Sequence, residues 1–472
     1  MEFDAVEKRI RAAAPADTEV LKVELVEEGT PQIIPGITAR PVPEHIRIEA
    51  VCRPEPGSNI RIEVWLPTVN WNGDLYGVGN GGYAGIILPF LLMGPVRMNF
   101  AVATTDMGTS AGPDCGIGNK AVWKDFGYRA THVMTIAAKA FIEGYYGTPV
   151  KHAYFNGGST GGQQALMEAQ RYPEDYDGIL AVAPAHDRTN LHLGFLWDWQ
   201  ALQEIHFTQE DQARITNAIL EHCGEAGGRH PGDNFMYHPD KITVTEDVLQ
   251  AAGLADRQIK ALMKIYHGVC DPVSGEFIYE PTLMPGSETG GISLASRCAR
   301  PDFERDYLYI FRWVLGEGYD FTQFDFHTDR LRVCRELDSY LNATQTDLRA
   351  FKERGGKLLL IHGTADPIIP YTSSVRYYKQ VQENMGNVDD FFRLFLVPGM
   401  EHTSGGPGLQ DIATGFAATP KDSKHNGVLA LKEWVENGNA PDVLCPVAFK
   451  DNNLMNGFRE DGYGYEREIY PY

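Results

Sequence analysis

The hydroxyl of Ser159 lies inside Gly157-Gly158-Ser159-Thr160-Gly161-Gly162, a G-x-S-x-G pattern. It directly follows the apolar run Ala153-Tyr154-Phe155 and precedes a segment with Ala165, Leu166 and Ala169 on one side. A serine becomes a nucleophile when it protrudes from a sharp strand-to-helix turn, and glycines on either side let that strained turn pack closely. The free N–H groups at the start of the following helix would then face a developing oxyanion. Such a serine needs a base and an acid. Two downstream loops offer them: Gly363-Thr364-Ala365-Asp366-Pro367 after the run Lys357 to His362, and Pro398-Gly399-Met400-Glu401-His402 after the run Phe392 to Val397. The order Ser, Asp, His, with the acid and the imidazole on loops after successive later strands, suits hydrolysis through a Ser159–His402–Asp366 triad.

The elements that must hold these side chains are legible as a rhythm. Period-two alternation in Ile46 to Val51 and Ile60 to Leu66, separated by Pro54 to Asn59, predicts an antiparallel pair at a sheet edge. Short apolar runs then alternate with longer segments. Leu75 to Val78 and Phe100 to Thr104 read as strands, and Arg129 to Tyr146 as a helix with Val133, Ile136, Ala137, Ala140 and Phe141 on its inner face. Ala153 to Phe155 is followed by a helix after Gly161, and then by the run Gly178 to Ala183. This is the signature of an α/β fold. From 186 to 344 the rhythm is lost in an aromatic-rich stretch with scattered helical periodicity, such as Val248 to Tyr266. The expected organisation is a core of residues 1–185 and 345–472 with a lid inserted at 186–344. Trp197, Trp199, Tyr309, Trp313 and Phe324 are the lid's candidate substrate-binding side chains.

Composition narrows the chemistry. The 472 residues are 43% hydrophobic and 22% charged, enough apolar material for a large core. Lys and Arg number 42 against 63 Asp and Glu, a net charge of −21 that repels phosphate backbones and anionic membranes. Neither a nucleic-acid nor a membrane partner is therefore expected. The longest apolar run, Ile86 to Met93, is too short to span a bilayer. The first ten residues lack the features of a signal peptide, so a cytoplasmic location is expected. Seven cysteines (Cys52, Cys115, Cys223, Cys270, Cys298, Cys334, Cys445) form no close pair and read as reduced thiols.

Taken with Arg171 to Gly178, Trp71-Asn72-Gly73, Gly79-Asn80-Gly81-Gly82-Tyr83-Ala84-Gly85 and Phe126 to Ala130, the three active loops resemble the tannase and feruloyl esterase family across roughly residues 45 to 445. The resemblance implies an α/β-hydrolase with a large lid and a serine esterase acting on hydroxycinnamoyl, galloyl or benzoyl-type esters. It also implies an oxyanion hole from the Thr160 N–H and a glycine of Gly81-Gly82. Two features depart from the family. Its members usually join a cysteine before the serine to one after the histidine, and here those positions are Gly158 and Thr403. Members also often carry an Asp-rich calcium loop, but Cys223 to Asp233 holds two acidic residues and an Arg, too few oxygens for six- to eight-fold coordination. No metal and no cofactor are expected. The same triad could instead cleave a carbon–carbon bond or a lactone of an aromatic metabolite. A non-catalytic binding role is the third reading, disfavoured by the presence of all three triad residues.

Overall fold

The computed structural model describes residues 3–472 apart from 31, 35–36, 39–40, 292–293, 295–296, 298–302, 413–421 and 459–461. Nine strands form the main sheet: β1 (Thr18–Val26), β2 (His45–Cys52), β3 (Ile60–Pro67), β4 (Leu75–Val78), β5 (Ala101–Thr105), β6 (Ala153–Gly158), β7 (Gly178–Val182), β8 (Lys357–Gly363) and β9 (Phe392–Val397). Their spatial order is β1-β2-β3-β5-β4-β6-β7-β8-β9. The first three and β5 pair antiparallel, and from β5 to β9 every pairing is parallel.

The parallel strands read as unbroken apolar runs because both faces of the sheet are covered. Ile179 and Ala181 of β7, with Leu358 and Leu360 of β8, pack into one cluster, together with the inner face of helix α1 (Ala130–Tyr146) and of helix α2 (Thr160–Arg171). Leu180, Val182, Leu359 and Ile361 point the other way, into a second cluster with Val428 and Leu431. Burying each such side chain stabilises the fold by about 1.5–3 kcal/mol.

Three expectations need correction. The pair β2–β3 is not at the edge, because β1 extends the sheet beyond it. The inner face of α1 is Ala130, Met134, Ala137, Ala138, Phe141 and Ile142, whereas Ile136 is exposed. The small alanines let this face lie close against the sheet. The periodicity from Val248 to Tyr266 belongs to two helices, Glu246–Ala251 and Asp256–His267, separated at Gly253 with φ +73°.

Among the described residues no strand between β7 and β8 joins the main sheet. Within this interval, Ile215, Ile219, Leu249, Leu262 and Ile265 pack in a third cluster. The apolar side of helix α3 (Arg188–Ala201), including Leu191 and Leu196, joins the first cluster, as do Tyr309, Val333 and Leu337.

Candidate active site

The expected catalytic side chains all follow the carboxyl ends of parallel strands, where open α/β sheets place their sites. Ser159 follows β6 with φ 63° and ψ −120°, a strained conformation for a side chain bearing Cβ. Its surroundings enforce it. The Ser159 N–H donates to the Val182 carbonyl at 2.9 Å, while its own carbonyl accepts from Gly162 and Ala185 at 3.0 Å each. A Cβ on Gly157 would sit 2.3 Å from the Gly161 carbonyl oxygen, and one on Gly79 would sit 2.7 Å from the Gly161 Cα. Three backbones thus touch at one point where only glycine fits.

The loop after β4 is tied to the same helix. The Gly161 N–H donates to the Asn80 carbonyl at 2.7 Å, the Asn80 N–H to Gln164 Oε1 at 2.8 Å, and Thr160 Oγ1 to the Gly82 carbonyl at 2.6 Å. Gly81 and Gly82 are exposed, and a Cβ on either would meet nothing within 4 Å. Among the described residues no acceptor is recorded for the N–H of Gly82 or Tyr83. The Thr160 N–H, in the first turn of α2, has no intrahelical acceptor.

Asp366 is fully buried after β8. Its Oδ1 accepts from the Ile368 and Ile369 N–H groups at 2.8 and 3.0 Å, and its Oδ2 lies 2.7 Å from His402 Nδ1. A second imidazole, His362, places Nε2 3.2 Å from the same Oδ2 and Nδ1 2.8 Å from Ser374 Oγ. Burial alone would raise the Asp366 carboxyl. The charge of His402 and the hydrogen bonds from His362 and His402 outweigh it and hold the group well below the usual carboxylate range. His402 itself is partly exposed. Its loop meets the acid loop at Gly363, where a Cβ would lie 2.2 Å from the Met400 carbonyl oxygen. The serine and histidine loops also touch: a Cβ on Gly158 would lie 2.7 Å from Thr403 Cγ2. The residues flanking Ser159 and His402 are therefore neighbours, at the two positions where the family's cysteines would stand.

The five aromatic candidates divide. Tyr309 is buried beside the glycine loop, its hydroxyl 3.5 Å from the Gly82 carbonyl and its ring edge-on to Tyr83 at 6.1 Å. Trp197 packs on Phe326 and donates to the Lys264 carbonyl. Trp199 stacks with Phe303, Trp313 packs on Trp123 and Phe126, and Phe324 stacks with Phe311. Each of these four packs against another aromatic side chain, and the Lys264 ammonium also lies over the Trp197 ring at 4.3 Å. Sequence reasoning missed His362, although it closes the strand run before Asp366, and Arg188, which has no local signal. The Arg188 guanidinium binds Thr160 Oγ1, Gln163 Oε1, the Gly82 carbonyl and Tyr309 Oη. Arg297 was missed as well; it pairs with buried Asp198 and donates to the Pro367 carbonyl next to Asp366.

In the loop Cys223 to Asp233, Asp233 is held by Arg467 through two contacts of 2.7 Å. Elsewhere among the described residues two groups have spacing compatible with a cation: Asp74, His152 and Glu436, and His132, Glu168 and Asp175. The first already carries the Lys432 ammonium on Asp74 and Glu436. Cys298 lies outside the described residues; the other six cysteines are free thiols. No helix among the described residues is long and apolar enough to cross a membrane.

Sheet topology and the serine elbow together define an α/β-hydrolase. The chain is 30% identical over 469 residues to an esterase of Xanthomonas campestris pv. campestris, covering 89% of this chain and 80% of the other. It superposes on feruloyl esterase B from Aspergillus oryzae with TM-score 0.84 at 25% identity, covering 98% and 96% of the two chains. Its fold also matches that of tannin acyl hydrolase from Aspergillus niger, with TM-score 0.73 at 20% identity and coverage of 99% and 91%. The tannase and feruloyl esterase profile matches residues 46–458, so the chain belongs to that family and is a carboxylic ester hydrolase.

Proposed function

We propose that this hydrolase cleaves esters of aromatic acids through an acyl-enzyme formed on Ser159. The observation that carries the reading is the meeting of three loops: Gly158 against Thr403 beside the serine and histidine, and His402 Nδ1 on Asp366 Oδ2 at 2.7 Å. With its Nδ1 proton directed at Asp366, the imidazole has Nε2 as its basic nitrogen. His402 takes the proton from Ser159 Oγ as that oxygen attacks the ester carbonyl. The resulting oxyanion is received by the N–H groups of Thr160 and the Gly81-Gly82 loop. The imidazolium, stabilised by Asp366, gives its proton to the departing alcohol. Water then repeats the sequence and releases the acid. The aromatic preference is supported by the related feruloyl esterase and tannin acyl hydrolase. It is also supported by the Tyr83–Tyr309 pair beside the open glycines. We assign the acyl ring to this pair, with segment 186–344 serving as the lid. The hydrogen bonds from Arg297 to Pro367 and from Gly291 to Glu401 support that role, because they tie this segment to the acid and histidine loops.

The test is a panel of aryl and alkyl esters of matched alcohols, with fluorophosphonate labelling of the wild type and of Ser159→Ala. Wild type should label once and favour benzoyl, galloyl or cinnamoyl over acetyl and butyryl esters. Ser159→Ala should resist labelling and lose kcat by several orders of magnitude, about 10⁶ where a triad acts as a unit. More than a few per cent of residual rate removes the nucleophile assignment. Equal rates on acetyl and aromatic esters remove the substrate class.

A further inference from the structure

Arg188 opens helix α3 and is only 3% exposed. A buried guanidinium ordinarily has a carboxylate beside it, because an unbalanced charge in a low-dielectric interior is costly. Among the described residues none pairs with Arg188. Its sequence neighbour Asp187 is engaged by Arg376 at 3.0 Å and by Asn190. The acceptors that Arg188 does have are all neutral. Nη1 donates to Thr160 Oγ1 at 2.9 Å and Gln163 Oε1 at 3.1 Å, and Nη2 to the Gly82 carbonyl at 3.0 Å and to Tyr309 Oη. The Phe126 ring lies 5.0 Å from the guanidinium carbon, and the buried Nε has no partner.

Two of these acceptors belong to the segments that frame the oxyanion hole. The Gly82 carbonyl receives donors from Thr160, Arg188 and Tyr309, which fixes the plane of the Gly82–Tyr83 peptide. In a trans peptide the C=O and N–H point to opposite sides, so locking this carbonyl also fixes the direction of the Tyr83 N–H. Thr160 Oγ1 accepts from Arg188 and donates to Gly82, so one guanidinium sets the spacing between the elbow and the glycine loop.

We propose that Arg188 is a positioning residue for the oxyanion hole, and that its unbalanced charge favours the anionic tetrahedral intermediate over the neutral ester. The proposal rests on Ser159 being the nucleophile. A preorganised charge that acts only when negative charge develops raises kcat rather than lowering KM.

The experiment compares kcat, KM and the affinity for an arylboronic acid, which forms a tetrahedral anion on a nucleophilic serine, in wild type, Arg188→Met, Arg188→Lys, Gln163→Glu and Ser159→Ala. Arg188→Met should lower kcat about 100-fold, the scale of losing one oxyanion-hole donor, with KM within about threefold and a matching loss of boronate affinity. Arg188→Lys keeps the charge without the fork and should recover about tenfold of that loss. Gln163→Glu is nearly isosteric and sets a carboxylate on the guanidinium; it should lower kcat and boronate affinity about tenfold, and it carries the decision if Arg188→Met does not fold. Unchanged kcat and boronate affinity in Gln163→Glu and in the folded Arg188 variants overturns the proposal, as does a loss confined to KM. If Ser159→Ala remains active, the esterase mechanism itself falls. If only Ser159→Ala is inactive, the role of Arg188 alone falls.

Discussion

The loop that carries the serine and the loop that carries the histidine both hold a residue with φ 63°, Ser159 in one and Thr403 in the other, and both are packed backbone to backbone at glycines, yet they differ in how far that packing extends. The serine elbow is closed sterically: Gly79, Gly157 and Gly161 touch backbone to backbone. The histidine loop is a glycine-rich span laced by main-chain hydrogen bonds, from Glu401 to Gly405, Gly408 to Gly399 and Gln410 to Val447. Gly405 within it faces open space. Where relatives are expected to join the two loops covalently, this chain joins them by the contact of Gly158 with Thr403. The elbow is thus closed at each of its glycines, whereas the histidine loop is closed at Gly399, Gly406 and Gly408 but open at Gly405, with its imidazole held by Asp366.

The largest expected effect separates that partner from the rest. Asp366→Asn should lower kcat by about 10⁴ with little change in KM, as loss of the orienting carboxylate does in serine hydrolases; steady-state kinetics check it. The same variant has a pH signature. Because the folded carboxyl is depressed, its stabilisation is present above the unfolded value of about 4 and is lost as pH falls below it. The gap in melting temperature between wild type and Asp366→Asn should therefore narrow progressively as pH falls from about 4 toward the much lower folded value, and a gap that does not narrow over that range would contradict the linkage.

Restoring a covalent join comes next. A Cβ on Gly158 would lie 3.4 Å from Thr403 Cβ, at the short edge of disulfide geometry. Gly158→Cys with Thr403→Cys should raise stability under oxidising conditions by about 5 kcal/mol in the chain-entropy model, a gain that dithiothreitol removes; denaturant titration in both redox states measures it. The two kinds of glycine should then differ. Gly157→Ala drives a methyl into backbone and should cost about 3 kcal/mol. Gly405→Ala meets no atom and should cost about 1 kcal/mol through its φ of +77° alone. The smallest effect is a gain: Thr403→Asn replaces a β-branched residue in the left-handed region and should add up to about 1 kcal/mol. Equal costs at Gly157 and Gly405 would erase the distinction between the loops.

The parallel half of the sheet and the serine, acid and histidine loops were legible because their constraints are local. Strands covered on both faces have to be apolar throughout, and an elbow has to be glycine-rich. Strand β1 was not legible, because a bulge between Val20 and Lys22 puts the inward residues Val20 and Val23 three apart and breaks the period of two. The inner face of α1 was misjudged because Ala130 and Ala138 bury as fully as Phe141, while the larger Ile136 faces solvent. Arg188 and Arg297 left no local trace, and His362, although it stands at the end of a strand run, looks there like any other strand residue. Arg188 and Arg297 act through partners far away in the chain, Gly82 and Pro367, which only the tertiary structure brings together, and the contacts of His362 with Asp366 and Ser374 depend on how the loop after β8 turns.

The pairing of β7 with β8 has a consequence for how the molecule is made. About 175 residues separate Val182 from Lys357, so this ladder closes one of the longest loops in the chain, and contacts of such separation form slowly. While the ribosome is still producing the intervening residues, β7 stands as an unpaired, fully apolar edge, the kind of surface that recruits other chains. Strand β7, which pairs with the strand leading to Ser159, is therefore the point at which a nascent chain is most prone to aggregate, and truncation anywhere before Lys357 should yield insoluble protein rather than a stable half-enzyme.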